Sequence, residues 1–322
     1  MALAKLPDRP PAKTERGGIQ GKQRVIENGR VAGPGLNGAK TKVAVASAKG
    51  GAGKSTLTVN LAAQMALKGR KVGILDADFG APSVAAMLGL MPGILIPGDG
   101  TIEPAAGPLG LRVAGSDLIA DPLLSLVGQE QQGLLDPTLL GDGLSASVAF
   151  SRPSETGLLL NGVSFGDLDL LFVDLATGLA PLREIADIAP LSAVLIVTHS
   201  SPSALRATRF LVDASLSLQV PVLGIVENMT AFYCSQCRSV RPLLPQGGVF
   251  ELTRATKLPL LARLPFDPRL AETCESGALF VQQFPDAPLA KQLADLAHKI
   301  KIAIDAMSYR PSPNGGPAPT TR

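Results

Sequence analysis

The chain alternates short continuous apolar runs with segments in which apolar residues recur every three or four positions. The apolar runs cover residues 43–46, 72–75, 168–173, 194–197, 222–226 and 260–264. The helical periodicity covers residues 54–68, about 203–217 and 287–307. Continuous apolar strands separated by helices indicate strands that are buried on both faces. The pattern therefore predicts an α/β fold, a doubly wound and mostly parallel sheet with helices on both faces.

The two ends of the chain lack any sustained periodicity. Residues 1–40 are rich in Pro, Gly, Lys and Arg, so we predict a flexible arm with a short extended piece at 24–26. Residues 308–322 contain four prolines and two glycines, and we predict a disordered tail. Between them, one domain over residues 41–307 is the simplest division, although residues 95–165 are rich in Gly and Pro and have no clear assignment.

Composition narrows the class of protein. The chain has 322 residues, of which 46% are hydrophobic and 18% charged, which is enough for one large core. No apolar run approaches the roughly 18 residues of a membrane span, and the first residues lack the apolar centre of a signal peptide. A net charge of +3 and an aromatic content of 4% argue against binding to nucleic acid. We therefore predict a cytoplasmic protein with no membrane or nucleic-acid partner.

A glycine-rich turn lies between the first predicted strand and the first predicted helix. Residues 49–56 read Lys-Gly-Gly-Ala-Gly-Lys-Ser-Thr. Glycines let backbone N–H groups approach a polyphosphate, and the positive end of the new helix faces it. Lys54 is expected to neutralise the β- and γ-phosphates, and the Ser55 hydroxyl to ligate Mg²⁺. Ala48 replaces the first glycine of the usual pattern, and an extra lysine, Lys49, stands at the loop entrance.

Polar residues follow three of the predicted strands, at the edge where doubly wound sheets bind ligands. The strand at 72–75 is followed by Asp76 and Asp78, and the strand at 168–173 by Asp174, the expected second Mg²⁺ carboxylate. Asn228 follows the strand at 222–226. Its amide can both donate to and accept from adenine, and the Asn-Lys-x-Asp sequence typical of GTPases is absent. These residues predict ATP and Mg²⁺ as ligands.

Two cysteines form a Cys-x-x-Cys pair. Cys234 and Cys237 are close enough in sequence to bind one metal, whereas Cys274 is remote. A tetrahedral zinc or a cubane cluster needs four ligands, and two copies of the pair on a two-fold axis would supply them. A shared iron–sulfur cluster, a bridging zinc, a thiol redox pair and two unliganded thiols all fit this spacing.

Five motifs carry a family resemblance. The loop at 49–55 resembles the deviant phosphate loop of the MinD-like ATPases, which include ParA, nitrogenase iron protein and the Mrp/ApbC proteins. Asp-Ala-Asp-Phe-Gly-Ala-Pro-Ser at 76–83 and Glu-Asn-Met at 227–229, followed by the cysteine pair, are similar to Mrp/ApbC sequences. So are Pro-Phe-Asp-Pro-Arg at 265–269 and Glu-Ser-Gly at 275–277. The resemblance extends over about residues 40–90 and 165–305.

The resemblance implies a MinD-like P-loop ATPase that works as a homodimer and carries a bridging [4Fe–4S] cluster to apo iron–sulfur proteins. Lys49 would act in trans on the partner's nucleotide, and Asp78 would position the attacking water. The resemblance implies Lys49, Lys54 and Asp78 as the hydrolytic residues. It implies as nucleotide contacts Gly50, Gly51, Ala52, Gly53, Lys54, Ser55, Thr56, Gly178 and Asn228. It implies Ser55, Asp76 and Asp174 as Mg²⁺ ligands, and Cys234 and Cys237 as cluster ligands.

One segment departs from the family. Mrp-type proteins follow the second acid with Pro-Pro-Gly-Thr-Gly-Asp, whereas residues 175–181 here read Leu-Ala-Thr-Gly-Leu-Ala-Pro. Only Gly178 remains, as a backbone donor to the γ-phosphate, so we predict slow ATP hydrolysis.

Two alternatives stay open: a ParA/MinD-type ATP-dependent positioning switch without a metal site, and an adaptor that binds nucleotide and barely hydrolyses it.

Overall fold

A computed structural model describes the parts of the chain that contain the predicted strands and helices. The described residues are 26–27, 30–31, 35–93, 102–118, 162–234 and 236–308. Most of the predicted arm, most of residues 95–165 and nearly all of the predicted tail lie outside them, so those predictions stay predictions.

The strands and helices follow one another in chain order. The strands are β1 (Ile26–Glu27), β2 (Arg30–Val31), β3 (Ala39–Ala46), β4 (Val72–Ala77), β5 (Ala105–Ala106), β6 (Arg112–Ala114), β7 (Leu168–Leu175), β8 (Ala193–Thr198), β9 (Val222–Glu227), β10 (Ala231–Tyr233), β11 (Val240–Pro242) and β12 (Leu260–Arg263). The helices are α1 (Lys54–Leu67), α2 (Val84–Met87), α3 (Ala180–Ile188), α4 (Pro202–Ser217), α5 (Gly248–Thr256), α6 (Pro268–Glu275), α7 (Phe280–Gln283) and α8 (Pro288–Ser308).

Eight of the strands form one sheet in the order β12-β9-β8-β3-β7-β4-β6-β5. Every neighbouring pair is parallel except β5 with β6. The six predicted strands correspond to β3, β4, β7, β8, β9 and β12, which confirms the predicted fold class. The sequence missed β5 and β6 because strands of two and three residues are too short to show a periodicity.

The helices pack in two groups against this sheet. Helix α1 packs with α2, α7 and α8, whereas α4 packs with α5 and against β8 and β9. The central strands β3, β7 and β8 are buried along nearly their whole length, as expected for a sheet covered on both faces. Within the described part of the chain, no helix is long and apolar enough to cross a bilayer.

The sheet register brings the predicted ligands to one edge. Because β4, β7 and β3 are adjacent and parallel, their carboxyl ends meet. Asp174 is the register partner of Asp76 on β4 and of Val45 on β3. Loop 47–53 leaves β3 at this edge and leads into α1, so the phosphate loop and the two acids converge.

Candidate nucleotide site and cysteine pair

The phosphate loop has the backbone conformation that its glycines allow. Gly51 and Gly53 have φ values of +74° and +81°, in the left-handed region where residues with a Cβ are strained. Gly53 is also the N-cap of α1 and offers no side-chain oxygen to the first N–H groups of the helix. Those N–H groups therefore face the loop and are available to bind an anion.

A buried carboxylate holds the start of α1. The Nζ of Lys54 donates to Oδ2 of Asp174 at 2.9 Å, and the Ser55 hydroxyl donates to the same oxygen at 2.5 Å. The Thr58 hydroxyl donates to the other oxygen, Oδ1, at 2.9 Å. Lys54 is 6% exposed and Asp174 is 0% exposed. Hydroxyl and carboxylate oxygens are ligands that Mg²⁺ prefers, so Ser55 and Asp174 fit the predicted metal site.

Thr58 is a residue of the site that was not predicted from the sequence. The sequence feature that could have identified Thr58 is its position four residues after Lys54, which places both side chains on one face of α1. The Thr58 hydroxyl also donates to the carbonyl of Lys54 at 3.0 Å, so it joins the helix backbone to the Asp174 carboxylate.

Asp76 has a structural role that was not predicted from the sequence. Its carboxylate accepts the backbone N–H groups of Asp78, Ser83 and Val84 at 3.0, 2.8 and 3.0 Å. Burial, followed by the charge of Asp174, raises the pKa of Asp76 to about 6, and the three N–H donors oppose that rise. The carboxylate thus holds the loop that carries Asp78 and the first residue of α2. Its predicted place near Mg²⁺ stays a prediction.

The remaining predicted residues lie around the same loop. Asn228 donates from Nδ2 to the Ala52 carbonyl at 2.9 Å, so it braces the phosphate loop; its contact with adenine stays a prediction. The Gly178 N–H donates to the Ser47 carbonyl at 3.0 Å and is not free for a phosphate in this conformation. Asp78 is half-buried and Lys49 is exposed at the loop entrance. The Ser47 hydroxyl donates to the Lys49 carbonyl at 3.1 Å.

The cysteine pair lies in the turn of the β10–β11 hairpin. Cys234 donates its N–H to the Ser239 carbonyl at 3.0 Å, and its own carbonyl accepts the Arg238 N–H at 2.8 Å. Cys237 is exposed, Cys234 is half-buried, and both thiols are free. This position differs from the helix start that a thioredoxin-like redox pair normally occupies.

The surroundings of Cys237 favour its thiolate. Its Sγ lies 3.0 Å from the Ser239 hydroxyl. Hydrogen bonds from the side chain and then the backbone of Ser239, followed by Cys234, lower the pKa of Cys237 to about 7. The thiolate is the metal-binding form of cysteine. Within the described ranges no group of three or more His, Cys, Asp or Glu side chains is suited to a metal. That Cys234 and Cys237 bind a cluster stays a prediction.

The raised pKa of Asp76 predicts a pH dependence of stability. Because its pKa rises from 3.8 to about 6, the folded state binds this proton more tightly than the unfolded chain does. The stabilisation of the folded state by the protonated Asp76 carboxyl is complete below about pH 4 and is lost as the pH rises through about 6. Between these limits we expect wild-type protein to lose about 2–3 kcal/mol more unfolding free energy than Asp76→Asn. Urea unfolding of both proteins across this pH range measures it, and parallel curves would contradict it.

The conformation of Gly53 predicts a loss of nucleotide affinity on substitution. A Cβ at Gly53 would collide with the Asn228 amide, and φ is +81° there. We expect Gly53→Ala to weaken nucleotide binding by at least about tenfold, measured by titration with a fluorescent nucleotide. Gly69→Ala is the matched control, because Gly69 has φ +79° and its Cβ would meet no described atom within 4 Å. Equal affinities for the two variants would refute the prediction.

Comparison with known proteins identifies a family for this chain. A family model described as the NUBPL iron-transfer P-loop NTPases, of the ParA group, matches residues 38–122 and 147–301. The chain is 31% identical over 269 residues to the iron-sulfur cluster carrier protein of Saccharolobus solfataricus, covering 83% of this chain and 85% of that protein. It is 31% identical over 279 residues to the cytosolic Fe-S cluster assembly factor NUBP2 of Homo sapiens, covering 84% of this chain and 96% of that protein.

A solved structure supports the same assignment. The nucleotide-binding protein of Archaeoglobus fulgidus in complex with ADP superposes with a TM-score of 0.57 and 30% sequence identity, covering 75% of this chain and 88% of that one. The family match covers well over half of the chain and includes both the phosphate loop and the cysteine pair. These findings confirm the resemblance drawn from the motifs: the chain belongs to the family of NUBPL iron-transfer P-loop NTPases.

Proposed function

We propose that this protein is an ATP-dependent iron–sulfur cluster carrier, in which a homodimer holds a bridging [4Fe–4S] cluster and transfers it to apo-proteins. The observation that carries the proposal is the accessible cysteine pair at a hairpin turn of a P-loop NTPase. One such pair is half of a four-thiolate site, and a second copy of the chain completes it. The names of the archaeal and human relatives support the cluster as cargo.

ATP and Mg²⁺ fit the phosphate-loop side of the protein. The N–H groups of loop 49–56 would hold the phosphates, and Ser55 and Asp174 would hold Mg²⁺, which neutralises phosphate charge when bound. The Nζ of Lys54 is 2.9 Å from the Asp174 carboxylate and 3.3 Å from the Ser55 hydroxyl, so it lies beside the oxygens that would hold Mg²⁺. Asp78 would orient the attacking water, and its loop is already held by Asp76.

Hydrolysis is proposed to be slow. Residues 175–181 lack the Pro-Pro-Gly-Thr-Gly-Asp stretch of the Mrp proteins. The remaining glycine, Gly178, uses its N–H for the Ser47 carbonyl, so a contact with the γ-phosphate would require this hydrogen bond to break. We propose a cytoplasmic location, supported by the name of the human relative, and neither a membrane nor nucleic acid as a partner.

The cluster site predicts the outcome of anaerobic reconstitution with iron and sulfide. We expect wild-type protein to form a coloured dimer with about two irons per chain, as one [4Fe–4S] cluster shared by two chains requires. Cys234→Ala and Cys237→Ala should each lose the iron and keep their nucleotide affinity. Iron content, visible absorbance and molecular mass are the measurements.

Cys274→Ala is the control for this experiment, because Cys274 lies in α6 and is buried. It should retain the iron content of the wild type. A colourless protein or a zinc-loaded dimer would reject the cluster carrier and favour a positioning switch of the ParA/MinD type. Normal reconstitution of the doubly substituted cysteine variant would reject the ligand assignment.

The proposed role of Lys49 in trans predicts an effect on assembly. With a non-hydrolysable ATP analogue and Mg²⁺, we expect the mass of the iron-free wild type to double from the 33.2 kDa of one chain. Lys49→Ala should stay at the mass of one chain. Light scattering measures the mass, and Lys68→Ala, an exposed lysine at the far end of α1, is the matched control. A dimer of Lys49→Ala at wild-type concentrations would argue against contact with the partner's nucleotide.

A further inference from the structure

We propose that α6 and the residues at its two ends form a connector between the nucleotide site and the cysteine hairpin. Through it, the state of the nucleotide would alter how tightly Cys234 and Cys237 hold iron. Arg269 is assigned as the positioning residue at the hairpin end. This inference rests on the proposed function, because it concerns how the two sites of that function communicate.

The connector begins at the loop that carries Asp78. Asp76 binds the backbone N–H groups of Asp78, Ser83 and Val84, so this loop and the start of α2 are held by a single buried carboxylate. A shift of the loop that follows a change of nucleotide would therefore move α2 as well. Helix α2 is only four residues long, so its far end lies close to the loop.

The far end of α2 touches the end of α6 through backbone atoms. Gly89 and Gly277 have φ values of +67° and +68°. A Cβ on Gly277 would lie 2.6 Å from Gly89 Cα, and a Cβ on Gly89 would lie 2.9 Å from the Gly277 carbonyl oxygen. Both separations are shorter than real Cβ contacts, so the two backbones meet with no side chain between them. Such a contact passes a displacement on, because packed backbones do not compress.

A second contact joins α6 to the phosphate-loop helix. Cys274 lies on α6 and is 5% exposed. Burial raises the pKa of its thiol, and hydrogen bonding with the side chains of Asn60 and Thr56 on α1 opposes that rise. Thr56 is the last residue of the phosphate-loop motif. Helix α6 therefore lies near the start of α1 through Cys274, and Gly277 just after α6 contacts the end of α2.

The other end of α6 is fastened by an ion pair. Asp267 is 1% exposed and caps the helix by accepting the Arg269 N–H at 3.1 Å. The guanidinium of Arg269 donates to both oxygens of Asp267, from Nε at 3.0 Å and from Nη2 at 2.7 Å. Two parallel hydrogen bonds fix the plane of the guanidinium as well as its position.

The fixed guanidinium contacts the residue before the first cysteine. Its central carbon lies 5.7 Å from the ring centroid of Tyr233 and 4.7 Å from that of Phe284. Tyr233 also donates its N–H to the Phe266 carbonyl at 2.9 Å, and Phe266 donates to the Ala231 carbonyl at 2.7 Å. Strand β10 is thus tied by its backbone and by an aromatic ring to the segment in which α6 begins.

The test is the rate at which cluster-loaded dimer releases iron to a chelator, with and without Mg-ATP. For the wild type we expect the two rates to differ by at least about fivefold, the lower range of allosteric coupling. In Arg269→Gln and in Gly277→Ala the ratio should approach one, while iron per chain and nucleotide affinity stay at wild-type values. A purely structural role would lower iron content or affinity and leave the ratio unchanged.

Two controls separate the connector from general damage. Arg269→Lys keeps the charge beside Asp267 but loses the paired hydrogen bonds, so its ratio should lie between those of Arg269→Gln and the wild type. Gly69→Ala introduces the same positive-φ strain as Gly277→Ala at an open position and should keep the wild-type ratio.

The outcomes distinguish the connector from the function on which it rests. Wild-type ratios in both Arg269→Gln and Gly277→Ala would overturn the connector and leave the carrier intact. A ratio of one in the wild type would overturn the connector together with the ATP dependence of the carrier. A ratio lost in both variants at normal iron content and affinity supports the connector.

Discussion

The buried carboxylate of Asp174 is the interaction on which the nucleotide site depends. It lies at the end of the central strand β7 and accepts from Lys54, Ser55 and Thr58, three residues within the first five of α1. An unpaired ammonium or carboxylate at 0–6% exposure would be strongly destabilising, so each charge requires the other. The start of α1, and with it the glycine loop before it, is therefore fixed relative to the sheet.

Two neighbouring carboxylates at this edge of the sheet have different hydrogen-bond partners. Asp76 and Asp174 are register partners on adjacent parallel strands, yet they bind different kinds of group. Asp174 accepts hydrogen bonds from side chains at the start of α1, whereas Asp76 accepts hydrogen bonds from backbone N–H groups of the loop after β4.

The cysteine hairpin stands apart from this edge but is not isolated from it. The turn that holds Cys234 and Cys237 is fastened to the segment before α6, and α6 contacts both α1 and the end of α2. The proposed dimer would account both for the exposed lysine at the loop entrance and for a Cys-x-x-Cys pair that supplies two of four thiolates. One assembly would then satisfy two features that are far apart in the sequence.

The sequence by itself determined the fold class, the six principal strands and the phosphate loop. These follow from local patterns, because strands buried on both faces are continuously apolar and a phosphate loop is one contiguous segment. Tertiary structure alone decided the partners. The contacts of Thr58 with Asp174 and of Asn228 with Ala52 span 116 and 176 residues and depend on sheet register. Two further contacts also depend on the tertiary structure: the hydrogen bond from the Gly178 N–H to the Ser47 carbonyl, and the backbone contact of Gly89 with Gly277. No local sequence pattern encodes which loops meet.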